Sequence, residues 1–264
     1  MPMLQRDGVN IHYEIEGEGP VLLLTHGFTA SSAMWRENVP ALAAAGWRVV
    51  TWDMRGHGRS DSPDDTALYS AALTVADIDA LLDAAGAETA VVGGMSLGGY
   101  MTLAYHLQHR DRIRALLLID TGPGFKNDEA REKWNDYARG KGNELLATGD
   151  SALSDSAETR LQAQNFAGLR NAAYGMLTQH SADAINSLPG IGVPALVVVG
   201  DRDEPFLAAS DYMAAKIPQG EKVVIPDAGH YVFEDAYDEI LPRLRTFLDK
   251  TEEVSVGSLE SASG

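Results

Sequence analysis

Short, largely apolar runs alternate along the chain with stretches of helical periodicity, and this alternation limits the fold more than any other feature. Val21–Thr25, Trp47–Trp52, Thr89–Gly93, Ile113–Ile119, Ala195–Gly200 and Glu221–Ile225 read as strands. Between or after them, Ala33–Ala45, Asp77–Ala85, Leu97–Gln108, Ser210–Lys216 and Asp238–Asp249 read as helices. Strands apolar on both faces belong inside a sheet covered on both sides. The expected fold is therefore α/β, with a mostly parallel central sheet of about eight strands and helices on both faces. Val9–Glu16 differs: Val9, Ile11, Tyr13 and Ile15 alternate with polar residues, the pattern of a half-buried antiparallel strand at an edge.

The 264 residues suit one large domain carrying an insertion. The rhythm breaks between Lys126 and Pro194, where no buried-strand run occurs and helical patches cover Glu129–Ala138 and Ala157–Leu177. Residues 126–194 are expected to form a helical lid inserted before the last two strands. Residues 1–125 and 195–250 would form the core domain, and the Ser/Gly/Glu-rich residues 251–264 a flexible tail.

The formal net charge is −17. Such a surface repels phosphate backbones and anionic headgroups, which disfavours nucleic acid and membranes as partners. The chain has no cysteine, so disulfides, thiolate zinc sites and a cysteine nucleophile are excluded. No apolar segment follows the N-terminus as a signal peptide would require, and the apolar runs fall far short of the ~20 residues of a membrane span. A cytoplasmic protein is expected.

The chemistry gathers at strand ends. Gly94-Met95-Ser96-Leu97-Gly98 lies between a strand and a helix and fits the G-x-S-x-G nucleophile pattern, in which small residues flank a serine on a strained turn. His26-Gly27-Phe28 follows the Val21–Thr25 strand. The backbone N–H groups of Phe28 and Leu97 are the expected oxyanion donors, while the His26 side chain reads as structural. His230 sits on the glycine-flanked loop after the Glu221–Ile225 strand and is the candidate general base. Two carboxylates compete to orient it: Asp203, after Ala195–Gly200, and Asp120, after Ile113–Ile119. Asp203 is preferred, with Asp201 left to local turn hydrogen bonds.

His106 and His109 form H-x-x-H on a helix with no acidic partner cluster, and read as solvated surface histidines. Gly17-Glu18-Gly19 opens no helix, and no P-loop lysine follows Gly93 or Gly98. No metal and no organic cofactor is expected.

Asp53-Met54-Arg55-Gly56-His57-Gly58-Arg59-Ser60-Asp61, taken with His26-Gly27-Phe28 and Gly94–Gly99, resembles the esterase, lipase and enol-lactonase branch of the α/β-hydrolase superfamily. The resemblance runs from Val9 to about Lys250 and is least specific over Lys126–Pro194. It implies that the Asp53–Asp61 stretch is a structural loop, so Arg55, His57 and Ser60 are not carried over as catalytic. Related haloalkane dehalogenases and soluble epoxide hydrolases use aspartate at the nucleophile position, which Ser96 disfavours.

The implied chemistry is acyl transfer from a small or medium uncharged ester or lactone through Ser96, His230 and Asp203. Phe125, Trp134, Phe166 and Tyr231 are candidates to line the substrate pocket. A carbon–carbon bond hydrolase or a cofactor-free perhydrolase would use the same triad, and a ligand receptor with slow turnover would use the same fold.

Overall fold

The computed structural model describes residues 2–149 and 165–261. Eight strands form one sheet: β1 (Met3–Arg6), β2 (Val9–Glu16), β3 (Val21–Thr25), β4 (Arg48–Trp52), β5 (Ala90–Met95), β6 (Ile113–Ile119), β7 (Ala195–Gly200) and β8 (Gly220–Ile225). Their spatial order is β1-β2-β4-β3-β5-β6-β7-β8. β1 and β2 pair antiparallel with their neighbours, and all pairs from β4 to β8 are parallel. The half-polar pattern of Val9–Glu16 thus belongs to the antiparallel margin, as its alternation predicts. β1 was not legible: Met3–Arg6 is four residues of mixed polarity.

The helices are α1 (Val39–Ala44), α2 (Ala71–Ala84), α3 (Leu97–Gln108), α4 (Asp128–Thr148), α5 (Phe166–Ala172), α6 (Asp183–Ser187), α7 (Glu204–Lys216), α8 (Val232–Asp235) and α9 (Tyr237–Ser261). Side chains alternate across each strand, so the sheet feeds two cores. Leu23, Val92, Leu116 and Val197 face Ile78 and Leu81 of α2, Met101 of α3 and Met213 of α7. Leu22, Val91, Leu117 and Val198 face Leu42 of α1 and Ile240, Leu244 and Phe247 of α9. Helices therefore cover both faces.

Parts of the helical reading depart from expectation. The helix expected at Ala33–Ala45 is broken into a 3₁₀ turn, Ser32–Trp35, and α1, with Pro40 in the first turn of α1. Proline lacks an N–H and clashes with the carbonyl four residues earlier, so one continuous helix cannot pass through it. α9 runs on to Ser261 and takes in most of the segment expected to be a flexible tail. Thr251 is buried there, and its hydroxyl donates to the Leu248 carbonyl. His106 is buried instead of solvated, and burial lowers its pKa.

Within residues 126–194, the patch expected at Glu129–Ala138 lies inside α4. Of the patch expected at Ala157–Leu177, α5 and the π turn Ala173–Leu177 are seen, and 157–164 lie outside the described residues. This region docks on the loops that follow β4. A side chain at Gly168 would meet Ser62 at 2.7 Å and the Gly56 backbone at 3.0 Å, and one at Gly175 would meet the Tyr69 carbonyl at 2.1 Å.

Candidate active site

Ser96 falls between β5 and α3 with φ 53° and ψ −114°. A left-handed φ is strained for a serine, and such strain persists only where the surroundings fix it. They do so here. Its N–H donates to the Ile119 carbonyl (2.9 Å), and its own carbonyl accepts from Tyr100 N–H (3.0 Å) and from the Thr121 hydroxyl (2.6 Å). A Cβ at Gly94 would lie 2.5 Å from the Gly98 backbone, and one at Gly98 would lie 2.3 Å from the Thr25 carbonyl. Strand and helix touch at the backbone, so the pattern's small residues are a steric requirement.

Gly27 brings the loop after β3 against this turn: a Cβ there would meet Met95 Sδ at 2.8 Å and Ser96 Cβ at 3.5 Å. Phe28 follows. Among the described residues, neither the Phe28 nor the Leu97 N–H has a hydrogen-bond partner. Leu97 N–H is at the first position of α3, where helical amides lack intrahelical acceptors. Two free amides beside a serine suit an incoming oxyanion.

Behind this loop lies a buried polar cluster. His26 donates from Nδ1 to the Gly27 carbonyl (2.7 Å) and accepts at Nε2 from Met54 N–H (2.9 Å). That pair of bonds fixes one neutral tautomer, in keeping with a structural role, and burial lowers its pKa. Asp53 accepts from Ser32 N–H (2.6 Å) and Arg59 N–H (2.9 Å). Burial pushes its carboxyl up, but His12, His26 and these amides outweigh burial and hold it below the usual range. His57, 5.0 Å from the His26 ring, is lowered to about 3 by burial and then by its histidine neighbour. Arg55 makes a two-pronged buried ion pair with Asp77 of α2 (2.7 and 2.8 Å). The Asp53–Asp61 stretch thus packs as a scaffold under the loop that follows β3.

Asp203 and His230 are brought together. His230 Nδ1 lies 2.8 Å from Asp203 Oδ2. Asp203 is buried at the N-terminus of α7, and the His230 side chain is 30% exposed. The imidazole stacks on Phe206 (5.0 Å between centroids, 20°) and meets Tyr231 edge-on (5.5 Å, 78°). Its loop is closely fitted to the end of β7: a Cβ at Gly200 would lie 2.3 Å from the Ala228 carbonyl. Gly229 N–H donates to Asp235 (2.7 Å). Among the described residues, no hydrogen bond joins Ser96 Oγ to His230 Nε2. Such bonds are often long before substrate binds.

Asp120 does not bond His230. It is fully buried, and its two oxygens accept from Gly200 N–H (3.1 Å) and Val232 N–H (3.3 Å). Burial, with the nearby negative charge of Asp203, pushes its carboxyl well above the usual range even though both amides oppose the shift. Of the two carboxylates, Asp203 is the one that reaches the imidazole. Asp201 is exposed, and its backbone N–H donates to the Ile225 carbonyl.

The four expected pocket residues are spread over several elements. Tyr231 abuts His230. Phe166 packs against Leu145 and Leu169, as does Phe28. Phe125 and Trp134 pair with each other (6.0 Å), and the Trp134 indole donates to the Leu177 carbonyl (2.8 Å). A cavity of about 360 Å³ is lined by Glu14, Ser32, Arg36, Thr51 and Arg59 among others, and by none of these residues nor by Ser96, Asp203 or His230. Phe206, against the imidazole, escaped sequence reasoning. Its position three residues after Asp203 was the available signal.

Several known proteins are similar to this chain. A family model described as "alpha/beta hydrolase fold" matches residues 20–141. A Bacillus subtilis (strain 168) protein named as a 2-succinyl-6-hydroxy-2,4-cyclohexadiene-1-carboxylate synthase is 28% identical over 250 residues, 86% of this chain and 90% of that protein. An epoxide hydrolase of Caballeronia sordidicola is 38% identical, but over 110 residues only, 42% of this chain and 33% of that protein. Among solved structures, a thermophilic esterase from Thermogutta terrifontis is 27% identical with TM-score 0.81, covering 94% of this chain and 97% of that one. The enol-lactonase from Burkholderia xenovorans LB400 is 26% identical with TM-score 0.76, covering 94% and 100%. Sheet order, the strained serine turn and these relatives agree: the chain has the α/β-hydrolase fold.

Proposed function

We propose that this α/β hydrolase cleaves a carboxylic ester or lactone through an acyl-enzyme on Ser96. The observation that carries the reading is the Asp203–His230 hydrogen bond at the strand ends that also hold strained Ser96. With Nδ1–H committed to Asp203, the Nε2 lone pair is the free base. His230 Nε2 takes the Ser96 proton as Oγ attacks the carbonyl carbon, and the oxygen becomes an anion held by the Phe28 and Leu97 amides. Collapse expels the alkoxide, which takes the proton from Nε2. Water, deprotonated by the same nitrogen, then releases the acid and restores Ser96.

In this reading, 126–194 forms a cap, which is supported by Phe166 and Phe28 both packing against Leu145 and Leu169. The esterase and enol-lactonase neighbours support the substrate class. A serine at the nucleophile position argues against the epoxide chemistry of the partial relatives. The test is turnover of a p-nitrophenyl ester chain-length series and a panel of lactones, with wild type beside Ser96→Ala. Hydrolysis of esters or lactones by wild type alone is expected. Inertness of the folded wild type toward both classes would overturn the assignment.

A further inference from the structure

Asp120 is an uncommon group to find where it is. It is fully buried, has left-handed φ 43°, and no cation pairs with it among the described residues. An unpaired carboxyl in a protein interior is costly, and an apolar residue would ordinarily fill such a site more cheaply. Its own N–H donates to the Val198 carbonyl, which locks it into the edge of β7. Its two oxygens then reach opposite ways. Oδ1 accepts from Gly200, three residues before Asp203, and Oδ2 accepts from Val232, two residues after His230.

The Asp203–His230 hydrogen bond is thus bracketed by main-chain bonds to one carboxyl group. Two other carboxylates stand nearby, Asp203 itself and Asp235, and Asp235 holds the other flank of the histidine loop through Gly229. Neither joins the acid loop to the histidine loop through the backbone, whereas Asp120 spans both.

We propose that Asp120 is a positioning residue: it clamps the backbone of the acid loop to the backbone of the histidine loop and so sets the Asp203–His230 geometry. This rests on reading Ser96, Asp203 and His230 as a triad. Asp120 moves no proton and touches no substrate. Its effect is geometric, and a displacement of about 1 Å in such a site can cost ~10²-fold in rate.

The test compares Asp120→Ala, which removes both acceptors, with Asp120→Asn, which keeps one acceptor and turns an N–H₂ toward the other amide. Two readouts are taken on the full chain. One is the kcat and KM of an ester turned over by wild type. The other is the low-field proton resonance of His230 Nδ1–H, assigned by its loss in His230→Gln. Asp120→Ala is expected to lower kcat about 10- to 100-fold with KM nearly unchanged, and to broaden or lose the proton resonance. Asp120→Asn should fall between it and wild type.

A folded Asp120→Ala that keeps both kcat and the resonance overturns the proposal. Should Asp120→Ala fail to fold, Asp120→Asn decides alone, and wild-type values in both readouts overturn it. Near-normal activity in Asp203→Asn with a dead Asp120→Asn would overturn it in another way, by making Asp120 the acid. A wild type without any turnover would count against the triad reading. The resonance would still test the clamp, because it depends on the Asp203–His230 bond and not on chemistry.

Discussion

Ser96 holds its strained backbone because a glycine stands two residues away on each side and three hydrogen bonds fix its peptide groups. Gly98→Ala would drive a Cβ to 2.3 Å from the Thr25 carbonyl, a contact between two backbones that cannot yield locally. The expected outcome is a loss of at least ~3 kcal/mol in urea unfolding, or no soluble protein. A wild-type urea midpoint would contradict this account of the turn. Asp203→Asn should leave the fold intact and lower kcat by about 10²–10⁴-fold, because the amide no longer stabilises the imidazolium or selects its tautomer. Steady-state kinetics beside Asp120→Asn checks it. The serine, its glycines and His230 were legible because their spacing is set by backbone sterics and strand order. Asp120 was visible only as a rival acid, since its real partners are two backbone amides that no side-chain pattern announces. Phe206 was not legible, because a lone aromatic in a first helical turn looks like any core residue.

The loop after β4 is tied to α2 by the Arg55–Asp77 pair, with both side chains 1% exposed. Desolvating an ion pair is expensive, so such a pair adds little net stability, but removing one partner strands the other. Asp77→Ala is therefore expected to cost ~3–5 kcal/mol. Chemical denaturation checks this, and a loss below ~1 kcal/mol would mean that Arg55 finds other partners, Asp7 first among them. At this scale the sequence was legible wherever an element is long and buried: α3, β6 and β7 have the predicted ends. It was not legible where local chemistry overrides a pattern. Pro40 splits one expected helix. In α9 the docked stripe of Ile240, Leu244 and Phe247 nucleates a helix that then runs on to Ser261, because adding a turn costs far less than starting one.

Over the whole molecule, the buried histidines link stability to pH. His57 has a folded pKa of about 3, well below its ordinary 6.5. Protons therefore bind the unfolded chain first. The stabilisation from neutral His57 is complete above about pH 6.5 and is lost as pH falls toward 3, at ~1.4 kcal/mol per pH unit. His26 acts in the same direction. Asp120 acts in the opposite one, since its raised carboxyl favours folding as pH falls toward the ordinary aspartate range. The His57 share is isolated by difference. His57→Asn keeps a donor for the Arg55 carbonyl, which Nδ1 now approaches at 3.0 Å, and removes the titration. Between pH 6 and 4.5 its unfolding free energy should fall less steeply than that of wild type by ~1 kcal/mol per unit. Parallel slopes would mean that His57 is protonated in the folded protein.

The proposed chemistry depends first on Ser96 being an activated nucleophile. It is tested most directly by the intact mass of the protein after exposure to a fluorophosphonate, for wild type and Ser96→Ala. One phosphonyl adduct is expected on the wild type, none on Ser96→Ala, and strongly slowed labelling in His230→Ala. A folded wild type that takes up no adduct, or a Ser96→Ala variant that labels as fast as wild type, would contradict it.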